Sequence, residues 1–187
     1  MATGAFLRTQ APTALPVELR AAAKNLEIDG TDSDSKIEDW LRGITGKLER
    51  QIGQCLMRQT WKGQLAGFGV EVELPHPVIE VVSVQYLDLD GELQNLPLSS
   101  VRLMRGMYTT RLKPARGASW PPTLADEEAV SITVACGYGD GPADTPEDLR
   151  LYILAKLVEQ YDPAAGGERV TVQTSYLDGM LDDYRSF

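Results

Sequence analysis

Histidine chemistry in this chain would have to use His76, because the 187 residues contain one histidine. Imidazole is the usual general base of enzymes and a common metal ligand. His76 lies between Pro75 and Pro77 in a predicted connection between strands, where nothing would orient its ring for proton transfer. A lone histidine is equally weak as a metal site. The sequence therefore predicts neither a catalytic histidine nor a metal centre.

A glycine-rich stretch, Gly137-Tyr138-Gly139-Asp140-Gly141-Pro142, lies between a predicted strand and a predicted helix, as phosphate-binding loops do. The dinucleotide fingerprint needs glycine at positions one, three and six, with the helix opening at once. Here Pro142 occupies the sixth position and no βαβ repeat surrounds the stretch. We therefore interpret these glycines as a turn that needs positive φ.

Acidic and aromatic residues offer two further kinds of site. Asp126–Glu128 and Asp182-Asp183 are adjacent carboxylates, whereas a glycosidase needs two carboxyl groups facing each other across a cleft. Trp61, Trp120 and Tyr138 are candidates for a sugar- or base-stacking platform, although core packing is the commoner role of aromatics in a small β domain. Solvated faces and core packing are the simpler interpretations, and no cofactor is expected.

The overall composition describes an acidic globular protein. Hydrophobic residues make up 43% of the chain and charged residues 24%, which predicts a real core in one domain, or in one domain with an insert. The net charge of −9 disfavours gripping nucleic-acid phosphates. No apolar run approaches the roughly 20 residues that span a bilayer, and the N-terminus does not resemble a signal peptide. We expect Cys55 and Cys136 to be buried thiols in a reducing compartment.

Three helices are predicted from apolar residues at steps of three and four. A short helix opens at Pro16, and a long amphipathic helix of about six turns begins with a capping box formed by Ser35 and Glu38 and continues to Leu56. A third helix follows Thr145, a hydroxyl cap succeeded by proline and two acids. Apolar residues after residue 174 also recur at helical spacing, which brings the expected number of helices to about four.

Between the second and third main helices the periodicity changes to the alternation of strands. Six or seven short strands occupy residues 59–143, with hairpin turns at Asp88–Gly91 and at Arg105-Gly106. This spacing favours an antiparallel β sandwich or barrel-like insert. The predicted fold class is therefore α+β, a small helical bundle that carries a β-rich insert.

The expected organisation has five parts. They are a flexible N-terminal arm at 1–14, the first part of a helical body at 15–58, the β-rich insert at 59–143, the third helix at 144–162, and a linker with a C-terminal arm or helix at 163–187. The last part has two open interpretations: it folds back on its own core, or it enters a groove of a partner.

Several short motifs follow one another in a distinctive order along the chain. They are the end of the long helix at Arg58–Trp61, L-P-x-P at Leu74–Pro77, V-x-S-V-x-Y at Val81–Tyr86, D-x-D-G at Asp88–Gly91, G-A-S-W-P at Gly117–Pro121, G-Y-G at Gly137–Gly139 and P-E-D-L-R at Pro146–Arg150. This order strongly resembles the tailed-bacteriophage head–tail connector (adaptor) family with a β-rich insert, over about Leu15–Tyr161.

The resemblance implies a structural virion protein rather than an enzyme. In that family, copies form a homo-oligomeric ring, usually a dodecamer, below the portal protein at the head–tail junction. The ring extends the DNA channel and docks the next neck or tail protein, a stopper or tail terminator. By the same resemblance, assembly occurs in the host cytoplasm without a membrane, and DNA only passes through the lumen, a role that an acidic protein suits.

In related connectors a C-terminal segment docks on the portal, which implies a portal interface here. The candidate portal-contact residues are Tyr176, Leu177, Met180, Leu181, Tyr184 and Phe187. Two other functions stay open on the residues alone: a non-enzymatic ligand- or carbohydrate-binding β module on a helical stalk, and a small hydrolase with scattered carboxylates.

Overall fold

The computed structural model of the chain describes residues 5–161 and 179–184. The chain divides into two compact units. Met1–Pro12 and Arg58–Gly137 form the first, here called the β unit, and Thr13–Met57 and Tyr138–Phe187 form the second, called the helical unit. The α+β class predicted from the sequence is confirmed.

The helical unit contains three α-helices among the described residues. They are α1 (Leu19–Asn25), α2 (Asp34–Ile52) and α3 (Glu147–Tyr161). One-turn 3₁₀ helices form at Pro142–Asp144 and at Asp182–Tyr184. The fourth helix expected after residue 174 is not confirmed, because most of that segment lies outside the described residues.

Helix α2 begins and ends at positions that differ from the prediction. Its N-cap is Ser33, so Ser35 lies inside the first turn and the predicted capping box is wrong. Glu38 instead pairs with Arg42 one turn later, at 2.7 Å. The helix stops at Ile52 because Gly53 adopts the left-handed conformation, with φ 68° and ψ 23°. It therefore has about five turns rather than six.

The core of the helical unit is formed by one apolar stripe from each helix. The fully or nearly fully buried members are Ala22 and Ala23 of α1, Ile37, Leu41, Leu48 and Ile52 of α2, and Leu149, Tyr152, Ile153 and Leu157 of α3. These residues recur at steps of three and four, which places them on one face of each helix. The apolar faces expected for the second and third helices are buried here, except that Tyr161 at the end of α3 is exposed.

The described residues of the β unit form eight strands in two antiparallel sheets. The strands are β1 (Ala5–Gln10), β2 (Gln59–Leu65), β3 (Val72–Leu74), β4 (Val78–Leu87), β5 (Leu93–Asn95), β6 (Val101–Arg105), β7 (Thr110–Pro114) and β8 (Val130–Cys136). One sheet has the order β1-β2-β8-β4-β5 and the other the order β3-β7-β6. Neither sheet closes on itself, so the barrel alternative is wrong; a sandwich stays a prediction.

Both predicted hairpins are confirmed. Asp88–Gly91 joins β4 to β5, and Gly91 supplies the positive φ of 81° that the tight turn requires. The Asp88 side chain accepts hydrogen bonds from the backbone N–H groups of Asp90 and Glu92, each at 3.0 Å. Strands β6 and β7 pair up to Arg105 and Thr110, around the second predicted turn.

Strand β1 corrects the prediction of a flexible N-terminal arm. Ala5–Gln10 pairs antiparallel with β2, with Ala5 opposite Gln64 and Gln10 opposite Thr60. The pairing depends on Gly63, because a Cβ at this position would lie 2.5–2.8 Å from ring atoms of Phe6. The sequence of this stretch did not predict a strand, because it has one aromatic residue and little alternation of apolar and polar residues.

Candidate functional site

Backbone N–H groups of the glycine-rich turn after β8 are hydrogen-bonded to a carboxylate of the same chain. Asp144 accepts hydrogen bonds from the backbone N–H groups of Asp140 and Gly141, at 2.9 and 3.0 Å. A Cβ on Gly139 would overlap the Asp144 carboxylate. A phosphate-binding loop needs such N–H groups for its anion, and here Asp144 occupies them. The interpretation as a turn that needs positive φ is confirmed for Gly137, which has a φ of 131°, whereas Gly141 has a φ of −136°.

Four polar side chains connect distant parts of the helical unit in a chain of hydrogen bonds, here called the tyrosine network. Its members are Gln54, Tyr138, Asp148 and Tyr184. Tyr138 donates from its hydroxyl to Gln54 Oε1 at 2.6 Å, and Gln54 Nε2 donates to the backbone carbonyl of Tyr184 at 3.0 Å. The Tyr184 hydroxyl lies 2.7 Å from each Asp148 carboxylate oxygen. The network thus ties the C-terminal turn to α3 and to the end of α2.

Both tyrosines of the network are held in the protonated, donating form. Burial raises the pKa of Tyr138 to about 12, with a further contribution from the negative charge of Asp148. Burial also raises the pKa of Tyr184, and its hydrogen bond to Asp148 acts in the same direction. A phenol that stays protonated keeps donating to its acceptor over the whole physiological pH range.

The described part of the C-terminal segment packs on the helical core. Leu181 is fully buried there, and Met180 and Tyr184 pack against the same cluster. For these three residues the structure supports folding back on the chain's own core. Tyr176, Leu177 and Phe187 lie outside the described residues. The portal contact assigned to all six by resemblance stays a prediction.

His76 serves the packing of the β unit. Its Nδ1 atom lies 2.9 Å from the Thr110 hydroxyl, which links the connection before β4 to β7. Burial lowers the pKa of the imidazole, which favours the neutral ring. The neutral ring forms one hydrogen bond with the Thr110 hydroxyl. The described residues contain no group of three or more His, Cys, Asp or Glu side chains that could hold a metal ion. No described helix is long and apolar enough to cross a membrane.

Trp120 has a packing partner in the β unit. Its ring stacks on Phe68, with centroids 4.4 Å apart and planes 5° from parallel, and Phe68 is nearly fully buried. Phe68 also contacts the ring of Tyr86 edge-on, with ring centroids 6.1 Å apart. A stacked face is not available to a sugar or a base, which weakens the platform interpretation of Trp120.

Sequence reasoning missed two features. Gln54 and Asp148 sit at helix ends, where polar residues have many roles, so nothing singled them out as partners of the two tyrosines. The second feature is a set of exposed apolar side chains in the β unit, namely Leu7, Val70, Val82, Leu89, Leu93, Leu98, Met104 and Met107. Single exposed apolar residues are common on protein surfaces, so this set by itself assigns no partner.

Comparison with known proteins bears on the kind of assembly. No protein-family model matches the chain, and no curated protein matches it significantly. Among solved structures, a chain in "Neck of empty GTA particle computed with C6 symmetry" superposes with a TM-score of 0.71 at 18% identity, covering 84% of this chain and 83% of that one. This chain shares the fold of a protein from the neck of a gene transfer agent particle.

Two further structures agree with this likeness. A chain in "Neck of native GTA particle computed with C12 symmetry" has a TM-score of 0.67 at 23% identity, over 84% of this chain and 82% of that one. A chain in "Virion of native gene transfer agent (GTA) particle" has a TM-score of 0.69 at 18% identity, over 83% of each. The connector resemblance seen in the order of the motifs is confirmed at the level of the fold.

Proposed function

We propose that this protein is a structural component of a phage-like neck, a head–tail connector (adaptor) that forms a ring below the portal protein. The observation that carries the proposal is the shared fold with neck proteins over 84% of the chain. Those necks were computed with C6 and C12 symmetry, and a cyclic arrangement of copies is the ordinary way in which one subunit builds a ring. Twelve copies of this chain would match the higher symmetry.

In this role the protein performs no chemistry. The ring extends the DNA channel and presents a docking platform for the next neck or tail protein, a stopper or tail terminator. The net charge of −9 supports the proposal, because a lumen that neutralised phosphates would retain the DNA that must pass. The protein would be assembled in the host cytoplasm and reside at the head–tail junction of the particle.

The portal contact is proposed to lie in residues 174–187. The three described candidates, Met180, Leu181 and Tyr184, hold the end of this segment on the helical core. Tyr176, Leu177 and Phe187 lie outside the described residues and stay candidates for the portal contact. Anchoring would reduce the conformational entropy that the segment loses when it docks.

The experiment is co-expression with the portal protein of the same particle, followed by electron microscopy and mass measurement of the purified complex. We expect a ring of twelve copies on one face of the portal. A matched pair of variants locates the contact: Tyr176→Ser with Leu177→Ser should abolish portal binding, whereas Leu151→Ser, an exposed change on α3, should not. A chain that stays monomeric beside its portal and is missing from purified particles would contradict the proposal.

A further inference from the structure

The five-stranded sheet of the β unit has two open edges. Strand β1 forms one edge and β5 the other. Five of the six residues of β1 and all three of β5 are exposed. Proteins usually protect such edges with proline, several charges or a covering segment. Among the described residues, β1 has one charge and no proline, and β5 has neither, so both edges are open to further strand pairing.

Each open edge carries an exposed leucine, and both leucines lie on the same face of the sheet. Leu7 of β1 is 70% exposed and Leu93 of β5 is 60% exposed. Residues opposite each other in neighbouring strands share a face, and so do alternate residues of one strand. Leu7 lies opposite Lys62, Lys62 opposite Thr133, and Thr133 opposite Ser83. Leu87 is four residues after Ser83 in β4, hence on the same face, and it lies opposite Leu93.

The two edges also carry opposite charge. Within β1 and β2 the charged side chains are Arg8 and Lys62, with no acid in either strand; the Glu128 carboxylate, from the segment before β8, accepts a hydrogen bond from Gln64 at the end of β2. The hairpin between β4 and β5 carries Asp88, Asp90 and Glu92, with no base. Complementary charge on two different surfaces of one subunit favours contact between unlike surfaces and disfavours contact of either surface with itself.

We infer that β5 of one copy pairs with β1 of the next, so that the five-stranded sheets join head to tail around the ring. This inference rests on the proposed ring. Every pair of neighbouring strands in the sheet is antiparallel. Because the sheet has five strands, an odd number, its two edge strands β1 and β5 run in the same direction. The pair between copies is therefore parallel, with Leu7 and Leu93 on a common face. A head-to-tail contact of this kind closes into a ring when its rotation permits.

The test uses cysteines placed at the two leucines, in the full chain assembled with its portal. The native thiols, Cys55 and Cys136, are buried and stay silent towards a bifunctional maleimide. The double variant with Leu7→Cys and Leu93→Cys should cross-link into a ladder of oligomers. An equal mixture of the two single variants should stop at dimers, and either single variant alone should give none. Val70→Cys with Leu93→Cys is the matched control, because Val70 is 79% exposed in the same unit but belongs to no strand of the five-stranded sheet.

The outcomes separate this inference from the proposed function. An intact ring on the portal without the ladder overturns the strand pairing and leaves the connector role standing. Dimers from Leu7→Cys alone also overturn it, since they show β1 meeting its own copy. Absence of the ring, with the chain missing from purified particles, overturns the proposed function and the inference together.

Discussion

The hydroxyl of Tyr184 lies 2.7 Å from both carboxylate oxygens of Asp148, across 36 positions of the chain. This contact fixes the C-terminal turn on the first turn of α3, and Leu181, three residues earlier, is buried in the same core. A hydrogen bond to a charged acceptor is stronger than one between neutral groups. The C-terminal turn is therefore part of the helical unit and not an appendage to it.

Replacing Tyr184 by Phe should reduce the free energy of unfolding by about 1–2 kcal/mol, because a hydrogen bond to a carboxylate is lost. Urea denaturation measures this change, and limited proteolysis after residue 174 reports the release of the turn. Tyr161→Phe is the matched control, since Tyr161 is exposed and contacts Trp40 through its ring. Equal effects of the two substitutions would show that the Tyr184 hydroxyl contributes nothing specific.

Alkaline pH should destabilise the protein through Tyr138. Its pKa is raised from 10.0 to about 12 in the folded protein, so the folded state retains a proton that the unfolded state releases. The resulting stability is fully present below pH 10.0 and is lost as the pH rises towards about 12. The free energy of unfolding, measured at several pH values in this window, should fall less steeply for Tyr138→Phe than for the wild type. Identical slopes would contradict the assignment.

Adding one methyl group at Gly63 should detach β1. Because the new Cβ would overlap the Phe6 ring, Gly63→Ala should cost about 1–3 kcal/mol, the usual range for overpacking. Hydrogen exchange of residues 5–10 should accelerate. Gly67→Ala is the control, as its Cβ would meet Thr123 Oγ1 at an ordinary 3.7 Å.

A second substitution tests the cause of that loss. Shortening Phe6 to Ala in the Gly63→Ala background should restore part of the lost stability, because the two side chains no longer collide. The two changes are then non-additive, with a coupling energy of about 0.5–3 kcal/mol. Strict additivity would place the effect of Gly63→Ala elsewhere than on Phe6.

Anchoring and portal binding should separate within the C-terminal segment. Leu181→Ala should destabilise the helical unit by about 2–4 kcal/mol, because it leaves a cavity in a fully buried site. Tyr176→Ser with Leu177→Ser leaves that anchor in place and should abolish portal binding without changing the Tm. Co-sedimentation with the portal and thermal denaturation measure the two effects. Retained portal binding by this double variant would reject the proposed contact.

Local patterns in the sequence determined most of the secondary structure. Val130, Ile132 and Val134 alternate with polar or small residues, and β8 forms there with those three side chains buried. Asp88–Gly91 specifies its turn because the aspartate caps the backbone and the glycine accepts positive φ. In each case the residues that decide the conformation are neighbours in the chain, so the local sequence is enough to predict it.

The order of the motifs determined the kind of fold, but tertiary structure decided how its surfaces are arranged. Phe6 and Gly63 are 57 positions apart, and only their contact turns an apparent arm into an edge strand. Asp148 and Tyr184 likewise become partners only when the helical core has formed. Whether the sheets close is settled by pairing between distant strands, which leaves β1 and β5 as open edges. Such contacts join residues far apart in the chain, and no local periodicity records them.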